Sequence, residues 1–130
     1  LKTLRFKQFL PALAYLAFTF YLFTLPGQEL PDIPWAEKIN FDKIVHLGLF
    51  TVLVFAFSYP FKKSIYNNGQ RRKWFLYIAI LCIAYGIAIE FIQKYFVVNR
   101  SCDVVDMIAD LIGSTIGYLV ACYWFLNKKA

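Results

Sequence analysis

The stretch "WFLYIAILCIAYGIAIEF", Trp74 to Phe91, holds 18 residues and a single formally charged one, Glu90. A membrane hydrocarbon core is crossed by about 20 mostly apolar residues in helical form. This run meets that requirement on its own. Working outward, three further runs do the same: Phe9–Leu25 ("FLPALAYLAFTFYLFTL"), Ile44–Phe61 and Val104–Leu126. The whole chain of 130 residues is 60% hydrophobic and 20% aromatic, with mean hydropathy +0.54. A water-soluble domain of this size has too little interior to hide so much apolar surface. In lipid every backbone polar group must be satisfied internally, so the runs are expected to be helices. The reading is an all-α integral membrane protein, one domain over residues 1–130. It is expected to be a four-helix antiparallel bundle with helices at about 9–25, 43–61, 74–97 and 103–126.

The net charge of +6 is not spread evenly. Lys2, Arg5 and Lys7 precede the first run. Lys62, Lys63, Arg71, Arg72 and Lys73 lie between the second and third, and Lys128 and Lys129 follow the fourth. Basic segments stay on the cytoplasmic side of a membrane, which places both termini and the 62–73 segment inside. The remaining cations (Lys38, Lys43, Lys94 and Arg100) share the outer side with all eight carboxylates. Such a distribution suits lipid head groups and argues against a nucleic-acid partner. The first run is read as a retained helix, because "FTLPGQEL" offers no small-residue cleavage site. Cys82, Cys102 and Cys122 show no metal-binding or redox spacing and read as unpaired thiols.

The ionisable residues converge on one end. Asp42, Lys43 and His46 open the second helix from outside, and Glu90, Gln93 and Lys94 close the third. Arg100 and Ser101 lie in the outer loop; Asp103, Asp106 and Asp110 open the fourth. Asp42 and His46 are four residues apart and share a helix face, as do Glu90, Gln93 and Lys94. Asp103, Asp106 and Asp110 form one stripe. Asp42 and Asp103 can serve as helix caps. Capping does not account for Asp110, which lies about 10 Å deeper along its helix. Ionisable residues inside a membrane are costly and mark functional sites by default. A structural polar network locking the bundle is the competing reading. In the fourth helix Gly113 and Gly117 stand at GxxxG spacing, extended by Ala109 and Ala121. Such a row lets helices approach closely, within one chain or between copies in a homo-oligomer.

Three segments, "DKIVHLGLF" (Asp42–Phe50), "YGIAIEFIQKYF" (Tyr85–Phe96) and "NRSCDVVDMIADLIGSTIG" (Asn99–Gly117), resemble the VanZ-like family. The match falls on Asp42, Lys43, His46, Gly86, Glu90, Gln93, Arg100, Asp106, Asp110, Gly113 and Gly117. Asp110 stands where the family usually has asparagine, Ser101 where glycine often follows the arginine, and Phe50 where tyrosine is common. The resemblance implies a multi-pass protein of the bacterial inner membrane linked to teicoplanin-type glycopeptide resistance or envelope maintenance.

Several functions remain open at this point. The first is a site that binds an amphiphile at the outer leaflet, such as a glycopeptide or a lipid-linked wall precursor. It would use Asp42, Lys43, His46, Glu90, Gln93, Arg100, Ser101, Asp106 and Asp110, with Lys43 and Arg100 on an anionic group. The second is a membrane enzyme in which His46, Glu90, Asp106 and Asp110 share acid–base work or hold a divalent metal; one imidazole among oxygens suits magnesium or manganese better than zinc. A transporter is disfavoured by the lack of polar residues in the inner half. Gly86, Gly113 and Gly117 are assigned to helix packing.

Overall fold

The computed structural model describes residues 3–25, 41–98 and 102–126, with the backbone alone at 41 and 42. Four α-helices carry the chain: α1 (Leu10–Phe23), α2 (Phe41–Ser58), α3 (Asn68–Phe96) and α4 (Val104–Phe125). Short 3₁₀ segments, Phe6–Phe9 and Tyr59–Lys63, lead into α1 and continue α2. No strand occurs among the described residues. With these extensions, all four helices are long and apolar enough to cross a membrane.

Ring contacts fix how the helices run. Phe23, the last residue of α1, lies 4.8 Å from His46 near the start of α2. At the other end Phe61, just past α2, meets Phe9 at 6.1 Å and Phe75 of α3 at 6.0 Å. Phe75 in turn meets Phe125, the last residue of α4, at 6.3 Å. Consecutive helices are therefore antiparallel, and α2 and α4 run in the same direction side by side. Large apolar side chains such as Phe18, Leu81 and Leu119 project outward, more than half exposed, as expected of faces turned to lipid rather than water.

The third helix differs from the sequence expectation. It starts at Asn68, not near Trp74, because Asn67 and Gln70 cap it reciprocally: the Gln70 N–H donates to Asn67 Oδ1 (2.9 Å) and the Asn67 N–H to Gln70 Oε1 (3.1 Å). The "YNNGQ" stretch, whose residue types also suit a turn, is thus a capping box. At its far end α3 passes Phe91 and runs to Phe96. Glu90 consequently lies about 9 Å short of the helix end, at 1.5 Å per residue.

The early start puts Arg71 on a helix face that points inward. Its side chain is fully buried, donating from Nη1 to the Phe125 carbonyl (3.2 Å) and from Nη2 to the Ser64 carbonyl (2.8 Å). The carbonyls at a helix C-terminus lack intrahelical partners and carry partial negative charge, so a guanidinium there closes α4 and ties down the α2–α3 link. The sequence groups Arg71 with the basic 62–73 segment; the structure buries it within the bundle.

The small-residue row on α4 packs against α2 of the same chain. A side chain added at Gly113 would collide with the Leu47 carbonyl oxygen; one at Gly117 would sit 2.7 Å from Val54 Cβ and 2.8 Å from the Thr51 carbonyl oxygen. The approach lets the Thr51 hydroxyl donate to the Gly113 carbonyl at 3.0 Å. Gly48, by contrast, faces open space. Gly113→Ala is expected to force backbones apart and lower stability by roughly 1–3 kcal/mol, whereas Gly48→Ala should cost nothing. Thermal unfolding of the two variants in detergent separates them; equal effects would show that the contact does not hold α2 to α4.

Candidate functional site

Three helices deliver the polar side chains to one end of the bundle. Lys43 and His46 come from the first turns of α2, Glu90 from the last turns of α3, and Asp103, Asp106 and Asp110 from the start of α4. Asp103 caps α4, its Oδ1 accepting from the Val105 N–H at 2.9 Å. Because α2 and α4 start at the same end and touch along their length, the α2 cations face the α4 acids.

Two layers result. In the outer one, Lys43 Nζ lies 2.6 Å from Asp103 Oδ2 and 2.8 Å from Asp106 Oδ1. The hydrogen bond from Lys43 holds the Asp103 carboxyl below the usual aspartate range. In the inner one, His46 Nδ1 is hydrogen-bonded to Asp110 Oδ1 at 2.8 Å, and His46 Nε2 lies 3.7 Å from Asp106 Oδ2. The Phe23 ring packs on the imidazole. Glu90 is completely buried; its Oε2 accepts the Asp103 N–H at 2.9 Å, joining the end of α3 to the start of α4. Glu90 Oε1 and Asp110 Oδ2 are buried with no hydrogen-bond partner among the described residues. Gly86 makes room for the second of these, since a Cβ there would stand 2.7 Å from it.

His46, Glu90, Asp106 and Asp110, the candidates for acid–base work, are therefore brought together. Lys43 joins them, but as the partner of two carboxylates. Gln93 is not part of the cluster: it is buried and its Nε2 donates to the Phe23 carbonyl at 2.9 Å, closing the C-terminus of α1. Arg100 and Ser101 lie outside the described residues, as does the side chain of Asp42, whose backbone sits in the first turn of α2. Sequence reading missed the hydroxyls just below the cluster. Tyr85 Oη is 3.0 Å from Thr19 Oγ1, and Ser114, one turn inside Asp110, is fully buried. Tyr85 and Ser114 sit one helical turn or so from Glu90 and Asp110, the one signal that could have found them.

The Lys43–Asp103 pair makes a pH-dependent contribution whose sign follows from the lowered carboxyl. It is present above the ordinary aspartate pKa of 3.8 and is lost as pH falls through the lowered value. The stability gap between the parent and Lys43→Met should be full at neutral pH and close below about pH 4. Thermal unfolding across that range checks it; a gap that does not vary with pH would show that Lys43 acts by packing alone.

A family model described as VanZ/LLP1 matches residues 5–126, nearly the entire chain. No curated protein and no solved structure matches it. The chain belongs to the VanZ/LLP1 family, and its four apolar helices make it a multi-pass membrane protein of the VanZ type.

Proposed function

We propose that this VanZ/LLP1 member binds the polar head of an amphiphile at the acidic end of its bundle. The basic end, with both termini, would face the cytoplasm of a bacterium, leaving the polar cluster in the outer leaflet of its inner membrane. A glycopeptide of the teicoplanin type or a lipid-linked wall precursor fits this placement, giving a role in glycopeptide resistance or envelope maintenance.

The observation that carries this reading is the incomplete pairing of the cluster. A network that served only to lock helices would satisfy its buried acceptors, because each orphan costs stability. Here Lys43 is hydrogen-bonded to Asp103 and ion-paired with Asp106 Oδ1, which has no hydrogen bond of its own, while Glu90 and Asp110 each keep one buried carboxylate oxygen with no lysine or arginine ion-paired to it among the described residues. Those oxygens accept hydrogen bonds or positive charge. A head group bearing hydroxyls or an amine supplies both, and Arg100 in the adjoining loop is suited to an anionic group on the same molecule.

A second reading is favoured by the hydrogen bond between His46 Nδ1 and Asp110. A carboxylate in that position orients an imidazole and leaves Nε2 for proton transfer. The protein would then be a membrane enzyme acting on a lipid or wall precursor, with His46 as the base. Product formation by purified protein, abolished in His46→Asn, would favour it; a ligand bound and released unchanged would exclude it.

The main reading is tested by teicoplanin susceptibility of a bacterium expressing the protein, beside Glu90→Gln and Arg100→Ala at matched membrane levels. The parent is expected to protect and both variants to lose most of the protection. Equal protection by the parent and both variants would remove the cluster from the activity. No protection by the parent would remove the resistance role and leave envelope maintenance.

A further inference from the structure

We infer that His46, Glu90 and Asp110 form a binding site for one divalent metal ion, of the hard, oxygen-preferring class to which manganese belongs. The inference concerns the same two unpartnered oxygens that carry the amphiphile reading: an ion held there would meet the head group in their place.

Geometry is the first support. Each of the three residues offers a ligand atom, and these atoms lie within 4.8 Å of one another. Ligands on one octahedral ion with bonds of about 2.1 Å are about 3 Å apart when adjacent and about 4.2 Å when opposite. His46 Nδ1 and Asp110 Oδ1, now hydrogen-bonded at 2.8 Å, would give up the shared proton on binding an ion, and their separation then matches that of adjacent ligands.

The second support is independent of spacing. Glu90 and Asp110 are 0% and 1% exposed, and each has one oxygen without a partner, Oε1 and Oδ2. Two buried carboxylates with unused acceptors, beside an imidazole, are what a cation requires. Burial of an uncompensated carboxylate at membrane depth costs several kcal/mol.

The third support is charge. Among the described residues, Lys43 and His46 are the cations in contact with the cluster, against Glu90, Asp103, Asp106 and Asp110. Lys43 is engaged by Asp103 and Asp106, and Lys94 turns onto the Tyr95 ring at 5.2 Å. With His46 neutral, as a metal ligand must be, the four carboxylates and Lys43 leave three negative charges, and one divalent ion balances two of them. Two oxygens and one nitrogen favour manganese or a similar ion over zinc, which prefers sulfur and nitrogen. Asp106, held by Lys43 and close to His46 Nε2, would orient the imidazole from outside the ligand set.

The test uses the full chain purified in detergent and stripped with chelator. Manganese is titrated in, and the free ion is followed by its electron paramagnetic resonance signal. One ion per chain is expected to bind saturably. Glu90→Gln and Asp110→Asn should each weaken binding by about 100-fold or more, beyond the range typical of groups outside the ligand set, while Asp103→Asn leaves it essentially as it is. Manganese should also raise the unfolding temperature of the parent and not of Glu90→Gln. Neutralising one buried charge leaves the metal-free variant no less stable than the metal-free parent, so a failure to fold is distinguishable from a failure to bind. No saturable binding by the parent, or binding that survives in both ligand variants, would overturn the site, the first meaning that the two carboxylates share protons instead. Neither result bears on teicoplanin protection, so the two readings fail separately.

Discussion

The close approach of α2 and α4 is the constraint on which the rest depends. Gly113 and Gly117 let α4 rest on the backbone of α2 at Leu47 and Thr51. That contact fixes both the distance and the register between two parallel helices. The same register, continued one to three turns toward the polar end, sets His46 against Asp110 and Lys43 against Asp106 and Asp103. In lipid no hydrophobic force drives helices together, so close van der Waals contact and interhelical hydrogen bonds must do it. The glycine row supplies the first and the Thr51–Gly113 bond the second. Parallel neighbours joined through a chain of this length need a helix that returns across the membrane, which is the place of α3. Its own approach, at Gly86, is narrow enough that Asp110 fills the space a side chain would take.

The two ends of the bundle solve opposite electrostatic problems. At the basic end the unpaired carbonyls of α4 and of the α2–α3 link need a donor, and Arg71 provides it from a fully buried position. At the acidic end the need is for positive charge beside four carboxylates. Lys43 meets it for Asp103 and Asp106, with part of its side chain still exposed. Among the described residues no lysine or arginine is ion-paired with Glu90 or Asp110, and His46 is hydrogen-bonded to Asp110. The polar end is therefore ordered by depth, from a satisfied ion-pair layer outside to an under-satisfied layer inside. Stability alone would favour the reverse, because the penalty for an unpaired acceptor grows with distance from water.

The spans were legible because the apolar runs are long and few residues interrupt them. The convergence of His46, Glu90, Asp106 and Asp110 was legible from helical spacing and the order of basic and acidic segments. What was not legible depended on one residue of phase or one choice of partner. Asn67 suits a turn and a helix cap equally, and only the cap turns Arg71 inward. Gln93 shares a face with Glu90, yet a free carbonyl at the end of α1 claims it. Lys43 was assigned to an anionic ligand group, and in the structure it pairs with two aspartates of α4. In each case the deciding group lies on a different helix, and spacing within one helix carries no information about it.

The placement of α1 follows from the same physics. It contributes no ionisable group to the cluster and is held by three polar links: Tyr15 to the Leu49 carbonyl, Thr19 to Tyr85, and Gln93 to the Phe23 carbonyl. Two of these lie within about a turn of the polar end. Toward the middle of the bundle the helix stands off, leaving an apolar cavity of about 290 Å³ lined by residues including Leu13, Leu16, Leu53, Phe57, Ile78 and Tyr85. In water such a gap would forfeit packing and hydrophobic stabilisation together. In a bilayer it opens on a solvent as apolar as its lining, so only the packing contribution is at stake. A helix in that position can be pinned at one end without being closely packed along its length. The three helices that build the polar cluster have less latitude, since the close approaches at Gly86, Gly113 and Gly117 and the buried acids fix their spacing.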